Sequence, residues 1–276
     1  MSEAVHSCSE RAIRPEQPWF VLSAAQHYSL MGSDNPAISH FYSFSVAPSA
    51  AVTLAVPDGC VDIVFDCDAS RPKARVCGTT LEARNADFTC DHRYFGVRFA
   101  PGVTPDFLDV MAEDLTDHEF SFLDVVPDAR LAFEQIVQHD FTQQIALFNF
   151  YFTPRLVRKT ANVTATVIRT ICQHKGNIRI EQLETLTGYS CRTLQRQFRQ
   201  DTGMSPKAFC RIIRCQSALH CLLDQREQTF TDLALDLGFS DQSHFLREFK
   251  KLVSTTPLNY QRRITHEAYS ARLRYR

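Results

Sequence analysis

Residues Phe198, Pro206, Phe209 and Arg211 return 51 positions later as Phe249, Pro257, Tyr260 and Arg262. The turn before them, Gly188-Tyr189-Ser190, returns 50 positions later as Gly238-Phe239-Ser240, so the second copy gains one residue. A repeat of this length marks a duplicated supersecondary unit and confines the C-terminal part of the chain to two copies of one small motif. In the first copy "RIEQLETLTG" leads to "YSCRTLQRQFRQDTG"; in the second "TFTDLALDLG" leads to "FSDQSHFLREFKKLV". Each reads as an amphipathic helix, a turn with Gly, and a second helix capped by Ser190 or Ser240. Two helices joined in this way form a helix-turn-helix. The second helix of such a unit fits the major groove of DNA, which is about 12 Å wide.

Helical period assigns the faces. Leu194 and Phe198 form the inward stripe of the first copy, and Phe245, Phe249 and Leu252 that of the second. Opposite them lie Arg192, Arg196 and Arg199 with Gln195 on the shoulder, and in the second copy Ser243 and Arg247, with Gln242 in the first turn. His244, Leu246 and Lys250 flank this second face, and Lys251 follows. Arginine pairs with guanine O6/N7 and glutamine with adenine N6/N7, each through two hydrogen bonds. Arg192, Gln195, Arg196, Gln242, Ser243 and Arg247 are therefore the expected base readers. Ser190, Arg199, Ser240, His244, Lys250 and Lys251 are expected at phosphates or at the flanks, since a capped helix N-terminus can also hold a phosphate. Between the copies "PKAFCRIIRCQSALHCLLDQ" is long enough for a linking helix, with Phe209, Ile212, Ile213, Leu219 and Leu222 as its core. Its Arg211 and Arg214 read either as phosphate contacts or as solvated charge.

Charge divides the chain at the same place. The formal net charge is −1, but residues 1–157 carry −11 and residues 158–276 carry +10. So sharp a split implies two domains with different partners, the basic one facing a polyanion. The whole chain of 276 residues, 44% hydrophobic and 22% charged, is long enough for two cores. No apolar run reaches the length needed to span a bilayer. The N-terminus lacks the basic start and apolar core of a secretory signal, so the expected location is the cytoplasm.

The acidic half has a different rhythm. From Phe20 to Phe99, runs such as "HFYSFSVAP", "AVTLAVPDG", "CVDIVFDCD" and "YFGVRFAPG" are broken by Pro, Gly and Asp, as in a β-sandwich or a partly open barrel. Val64 interrupts the alternation of Val61, Ile63 and Phe65, as expected of a strand covered on both faces. "TPDFLDVMAEDLTD" predicts a short helix capped by Thr104, and "ARLAFEQIVQHDFTQQIALFNFYF" predicts one or two amphipathic helices. The latter stretch could carry a dimer interface or pack on its own sheet.

The stretch "DLALDLGFSDQSHFLREFKKLVSTTPLNYQRR" resembles the signature of the AraC/XylS family of transcriptional regulators. It departs at Tyr260-Gln261-Arg262 and at Leu252-Val253-Ser254-Thr255-Thr256, where the family usually has a glycine. The resemblance covers about 163–265 and implies a double helix-turn-helix domain on promoter DNA, with RNA polymerase as a partner. A looser likeness, resting on "VPDGCVDIVFD", "GVRFAPG" and "AEDLTD", implies a sensor domain controlled by a small-molecule or protein effector. The expected class is α+β: a β-rich N-terminal sensor domain with helices, followed by an all-α domain with two helix-turn-helix motifs. The expected boundaries are a lead-in over 1–18, the sensor over 19–155, a linker over 156–162, the DNA-binding domain over 163–265 and a basic tail over 266–276.

Catalytic and metal signals are weak beside these. No C-x-x-C, Gly-rich phosphate loop, G-x-S-x-G or H-E-x-x-H occurs, and no enzyme activity, cofactor or metal is expected. Cys60, Cys67, Cys77, Cys90 and His92 read as structural rather than as a redox pair or metal site. Asp58, Asp62, Asp66 and Asp68 read as turn formers and solvated edges. A methyl-transferring DNA-repair protein would need paired cysteines near the N-terminus, and there are none. A sensor that acts mainly through protein contacts is the other alternative, against which the basic half and its reading faces argue.

Overall fold

The computed structural model describes residues 17, 20–22, 25–46, 53–156, 161–223, 228–264 and 266–275. The lead-in expected over 1–18 lies outside them except for Gln17, as do 157–160 of the expected linker. Seven strands form one sheet: β1 (Ala25–Gly32), β2 (Ile38–Val46), β4 (Asp62–Asp66), β5 (Lys73–Cys77), β7 (Arg93–Phe99), β8 (Glu119–Ser121) and β9 (Leu273–Tyr275), in the order β8-β5-β4-β7-β2-β1-β9. A separate ribbon pairs β3 (Thr53–Ala55) with β6 (Arg84–Ala86).

Alternation sends each strand's side chains to two different cores. Phe41, Ile63, Phe65, Phe95, Val97 and Phe99 face one side, and their register keeps them level, with Phe41 opposite Val97 and Val97 opposite Ile63. Two helices cover that side, α3 (Arg130–Gln138) and α4 (Phe141–Phe152). They follow two short ones, α1 (Ala112–Leu115) and α2 (Phe122–Val125). Asp140 caps α4 by accepting from the Gln143 N–H at 3.0 Å, which is why two helices form where the apolar rhythm runs on. Tyr42, Phe44, Val64 and Tyr94 face the other side and pack with Tyr28 and Phe20 in an aromatic cluster.

The helix expected from Thr104 begins later. Residues 104–110 are irregular, Thr104, Phe107 and Leu108 are buried, and α1 starts at Ala112 after Met111. Burial of both Phe107 and Leu108, with the Asp109 N–H donating to Val125 O at 2.8 Å, holds this stretch out of a helix.

The C-terminal half is all helix up to its last residues. It comprises α5 (Asn162–Gln173), α6 (Ile180–Thr187), α7 (Cys191–Thr202), α8 (Pro206–Leu223), α9 (Phe230–Asp236), α10 (Gln242–Val253), α11 (Pro257–Arg263) and α12 (His266–Arg272). The long α8 serves two cores at once. Phe209, Ile212 and Ile213 pack with Leu183, Leu194 and Phe198 of the first unit. Cys215, Leu219 and Leu222 pack with Leu233, Phe245 and Phe249 of the second. Complete burial of a side chain such as Phe198 or Phe249 stabilises by about 1.5–3 kcal/mol. The stretch expected as a basic tail instead folds as α12 and β9, and β9 adds in parallel to β1, with Leu273 opposite Tyr28.

Candidate nucleic-acid interface

Each unit sets its second helix by a left-handed glycine and a cap. Gly188 closes α6 at φ 73°, and the Ser190 Oγ then accepts from the Thr193 N–H at the start of α7. The Cys191 N–H donates to the Glu184 carboxylate, tying the first turn of α7 back onto α6. In the second unit Gly238 has φ 74°, but the cap is Asp241, whose Oδ1 accepts from the His244 N–H at 2.7 Å. This corrects the assignment of the cap to Ser240. Ser240 Oγ instead donates to the Asp241 carboxylate at 3.1 Å and lies 3.1 Å from His244 Nδ1. The hydrogen bond from His244 N–H, with that from Ser240, holds the Asp241 carboxyl below its ordinary pKa.

Asp241 is therefore the residue that the second copy gains. The helices themselves start at Cys191 and Gln242, 51 apart, so their faces correspond position by position. Arg192, Gln195, Arg196 and Arg199 match Ser243, Leu246, Arg247 and Lys250. Arg192, Gln195, Arg196, Gln242, Ser243 and Arg247 are all exposed, while Leu194, Phe198, Phe245 and Phe249 are buried on the opposite stripes. Gln242 accepts from Thr231 Oγ1 at 2.8 Å, which orients its amide. Gln195 Nε2 lies 3.3 Å from Cys191 Sγ.

The flanking cations divide into two kinds. Arg211 and Arg214, left open as phosphate contacts or solvated charge, are both engaged within the protein. Arg211 Nε meets Glu248 at 2.7 Å. Arg214 donates to Gly238 O at 3.1 Å and Gly176 O at 2.9 Å, and its guanidinium lies over the Phe239 ring. That single side chain joins the turn of the second unit to the turn between α5 and α6 of the first. Arg199 and Lys251 reach the other half of the chain: Arg199 Nε lies 3.0 Å from Glu113 and Lys251 Nζ 3.4 Å from Glu82. The opposite charges of the two halves were the only trace of these pairs in the sequence.

Elsewhere, the cysteines Cys60 and Cys77 are held protonated by burial. Among the described residues no group of three His, Cys, Asp or Glu side chains could hold a metal. His92 pairs with Asp66 and Asp68 at 2.9 and 3.6 Å. Among the described residues no helix is long and apolar enough to cross a membrane.

A helix-turn-helix domain family matches residues 183–263, and a domain of unknown function (DUF6597) matches residues 35–121. Over 38% of its length the chain is 33% identical to a probable AraC family transcriptional regulator from Rhodopseudomonas palustris, whose structure it covers to 99% with a TM-score of 0.34. Residues 183–263 are an AraC-type helix-turn-helix domain. An uncharacterized HTH-type transcriptional regulator from Haemophilus influenzae is 32% identical over 103 residues, 37% of this chain and 34% of that protein. The HTH-type transcriptional activator RhaS of Escherichia coli is 40% identical over 68 residues, 25% of this chain and 24% of that protein. The AraC-type match thus spans about a third or a quarter of these curated relatives.

Proposed function

We propose that this chain is a sequence-specific regulator of transcription that reads two successive major grooves of promoter DNA and is controlled through its N-terminal domain. The observation that carries this reading is the position-by-position correspondence of two exposed polar faces, on helices fixed to one shared helix α8. Two such helices can address grooves about 34 Å apart on one side of a duplex. In this reading Arg192, Gln195, Arg196, Gln242, Ser243 and Arg247 touch base edges. Lys250 and the capped N-termini at Ser190 and Asp241 touch phosphates, with His244 and Ser240 beside them. RNA polymerase is a partner in this reading, and α4 offers a face for a homodimer through the exposed Phe150.

A titration with duplex DNA at two salt concentrations tests the reading. Phosphate contacts release counterions, so affinity should fall steeply with salt. Arg196→Ala or Arg247→Ala should cost about 1–3 kcal/mol and relax preference at one base pair. Equal weakening on every sequence would move these residues from base reading to phosphate contact.

A further inference from the structure

A cavity of about 360 Å³ opens in the N-terminal domain between the sheet and the β3–β6 ribbon. Its floor is a buried network, not the solvated edge expected of these aspartates, in which Arg98 meets Asp62 at 2.8 Å and Asp58 at 3.1 Å. Tyr42 Oη donates to Asp62 at 3.1 Å. Nearer the rim, Arg75 lies 3.7 Å from Glu119 and Arg84 3.7 Å from Asp117. All four carboxylates and three guanidiniums line the cavity, with His118 beside them, so its carboxylates outnumber its guanidiniums by one; the surplus lies where the buried Asp58 and Asp62 share one arginine and Asp58 also accepts from Gln17 Nε2 at 2.8 Å. Phe20, Tyr42, Val64 and Phe88 supply apolar and aromatic wall. An anion would meet this excess charge unfavourably. A cation with a compact apolar body would complete the charge balance and lie against aromatic faces. The volume falls in the range of small-molecule sites.

The same floor belongs to the wall of the DNA-binding domain. Along Val56–Cys60 the chain alternates in what it serves. Val56, Asp58 and Cys60 line the cavity, and Val56 also belongs to the core that holds Leu219 of α8 with Leu233 and Phe249 of the second helix-turn-helix. Pro57 O accepts from the Gln216 Nε2 of α8 at 2.8 Å, a buried bond across 159 positions. Gly59 has φ 76°, and a Cβ there would stand 2.9 Å from the Phe209 ring of α8. One five-residue segment thus touches the cavity with alternate side chains and grips α8 with the rest. Since α8 sets the spacing of the two reading helices, a shift of this segment changes how well both fit DNA at once.

We propose that this cavity is an effector site for a small organic cation, an amine or amidine on a compact apolar body. Val56–Cys60 passes its occupancy to α8. The proposal rests on the DNA-regulator reading above.

The test uses the full chain with benzylamine as probe and benzoate as its anionic counterpart. Benzylamine at about 10 mM should raise the unfolding temperature and benzoate should not, a comparison that needs no variant. Asp58→Asn and, separately, Asp62→Asn should abolish the response. Stabilisation by benzoate to the same degree, no response to benzylamine, or a full response in both variants overturns the cation site. For the relay, DNA affinity is measured on a duplex selected from a random pool by the full chain. Saturating benzylamine should change that affinity at least about three-fold, and Gln216→Met, which keeps the length but removes the donor, should reduce the change to near unity while the thermal response remains. Benzylamine binding with unchanged DNA affinity, or an unaltered response in Gln216→Met, overturns the relay. If the pool yields no bound duplex, the DNA-binding reading fails and the relay falls with it, while the thermal comparison still decides the cation site.

Discussion

Ser254 stands 51 positions after Gly203, and both close a reading helix in the left-handed region, at φ 57° and 76°. Glycine takes that conformation without a steric penalty; a residue with a Cβ is strained by about 1–2 kcal/mol. Ser254→Gly is therefore expected to stabilise the second unit by about 1 kcal/mol, seen as a higher urea midpoint. The reverse change, Gly203→Ala, adds strain and a clash, because its Cβ would lie 2.2 Å from Ala112 O. It should destabilise by more than Ser254→Gly stabilises. At the same scale, hydrogen bonding to Asp66 raises the pKa of His92, with Asp68 contributing. The folded state thus holds the imidazolium more tightly than the unfolded chain does. That contribution is fully present below the unfolded value of about 6.5 and disappears as pH rises through the higher folded value. His92→Gln should lower the unfolding temperature at about pH 5 and leave it nearly unchanged at about pH 9. An equal loss at both would show that His92 acts by packing alone.

At the scale of elements, the one-residue gain in the second copy has an energetic reading. It inserts Asp241 between turn and helix, and the cap moves to it. Asp241→Ala should lower the unfolding temperature clearly, while Ser240→Ala, which removes only a bond to the cap, should lower it much less. If the two losses were reversed in thermal unfolding, the capping assignment would fail. The shift was readable in principle, since offsets of 50 before the helix and 51 within it locate the insertion between Ser240 and Gln242. Most helices of the second half were legible because each buries one stripe, as Leu194 with Phe198 and Phe245 with Phe249 do. The sheet was legible from alternation, including the doubly covered strand with Val64. What escaped depends on distant segments: the irregular stretch at 104–110, shaped by burial of Phe107 and Leu108, and β9, which exists only because β1 offers an edge. The partners of Arg211 and Arg214 escaped for the same reason, as Glu248 and the carbonyls of Gly176 and Gly238 come from other elements.

For the whole molecule, the opposed charges of the halves become a contest for the same cations. The acidic half places Glu113 against Arg199 of α7 and Glu82 against Lys251 of α10, so both reading helices have a cation held at their C-terminal ends by the other domain. All four side chains are well exposed, and such pairs are each worth about 0.2–1 kcal/mol in low salt. DNA phosphates, in the reading proposed here, must displace these carboxylates to engage Arg199 and Lys251. Neutralising the competitors should therefore strengthen DNA binding: Glu82→Gln with Glu113→Gln is expected to raise affinity about two- to ten-fold near 0.05 M salt. The gain should shrink as ionic strength rises, because screening weakens the competing pairs as well as the phosphate contacts. Fluorescence anisotropy of a labelled duplex across a salt series measures both quantities. A gain that persists undiminished at high salt would point instead to a loosened contact between the halves. The Thr116 hydroxyl that bonds Gly203 O at 3.2 Å supplies the control: Thr116→Val loosens that contact without altering charge, so its effect on affinity should not depend on salt.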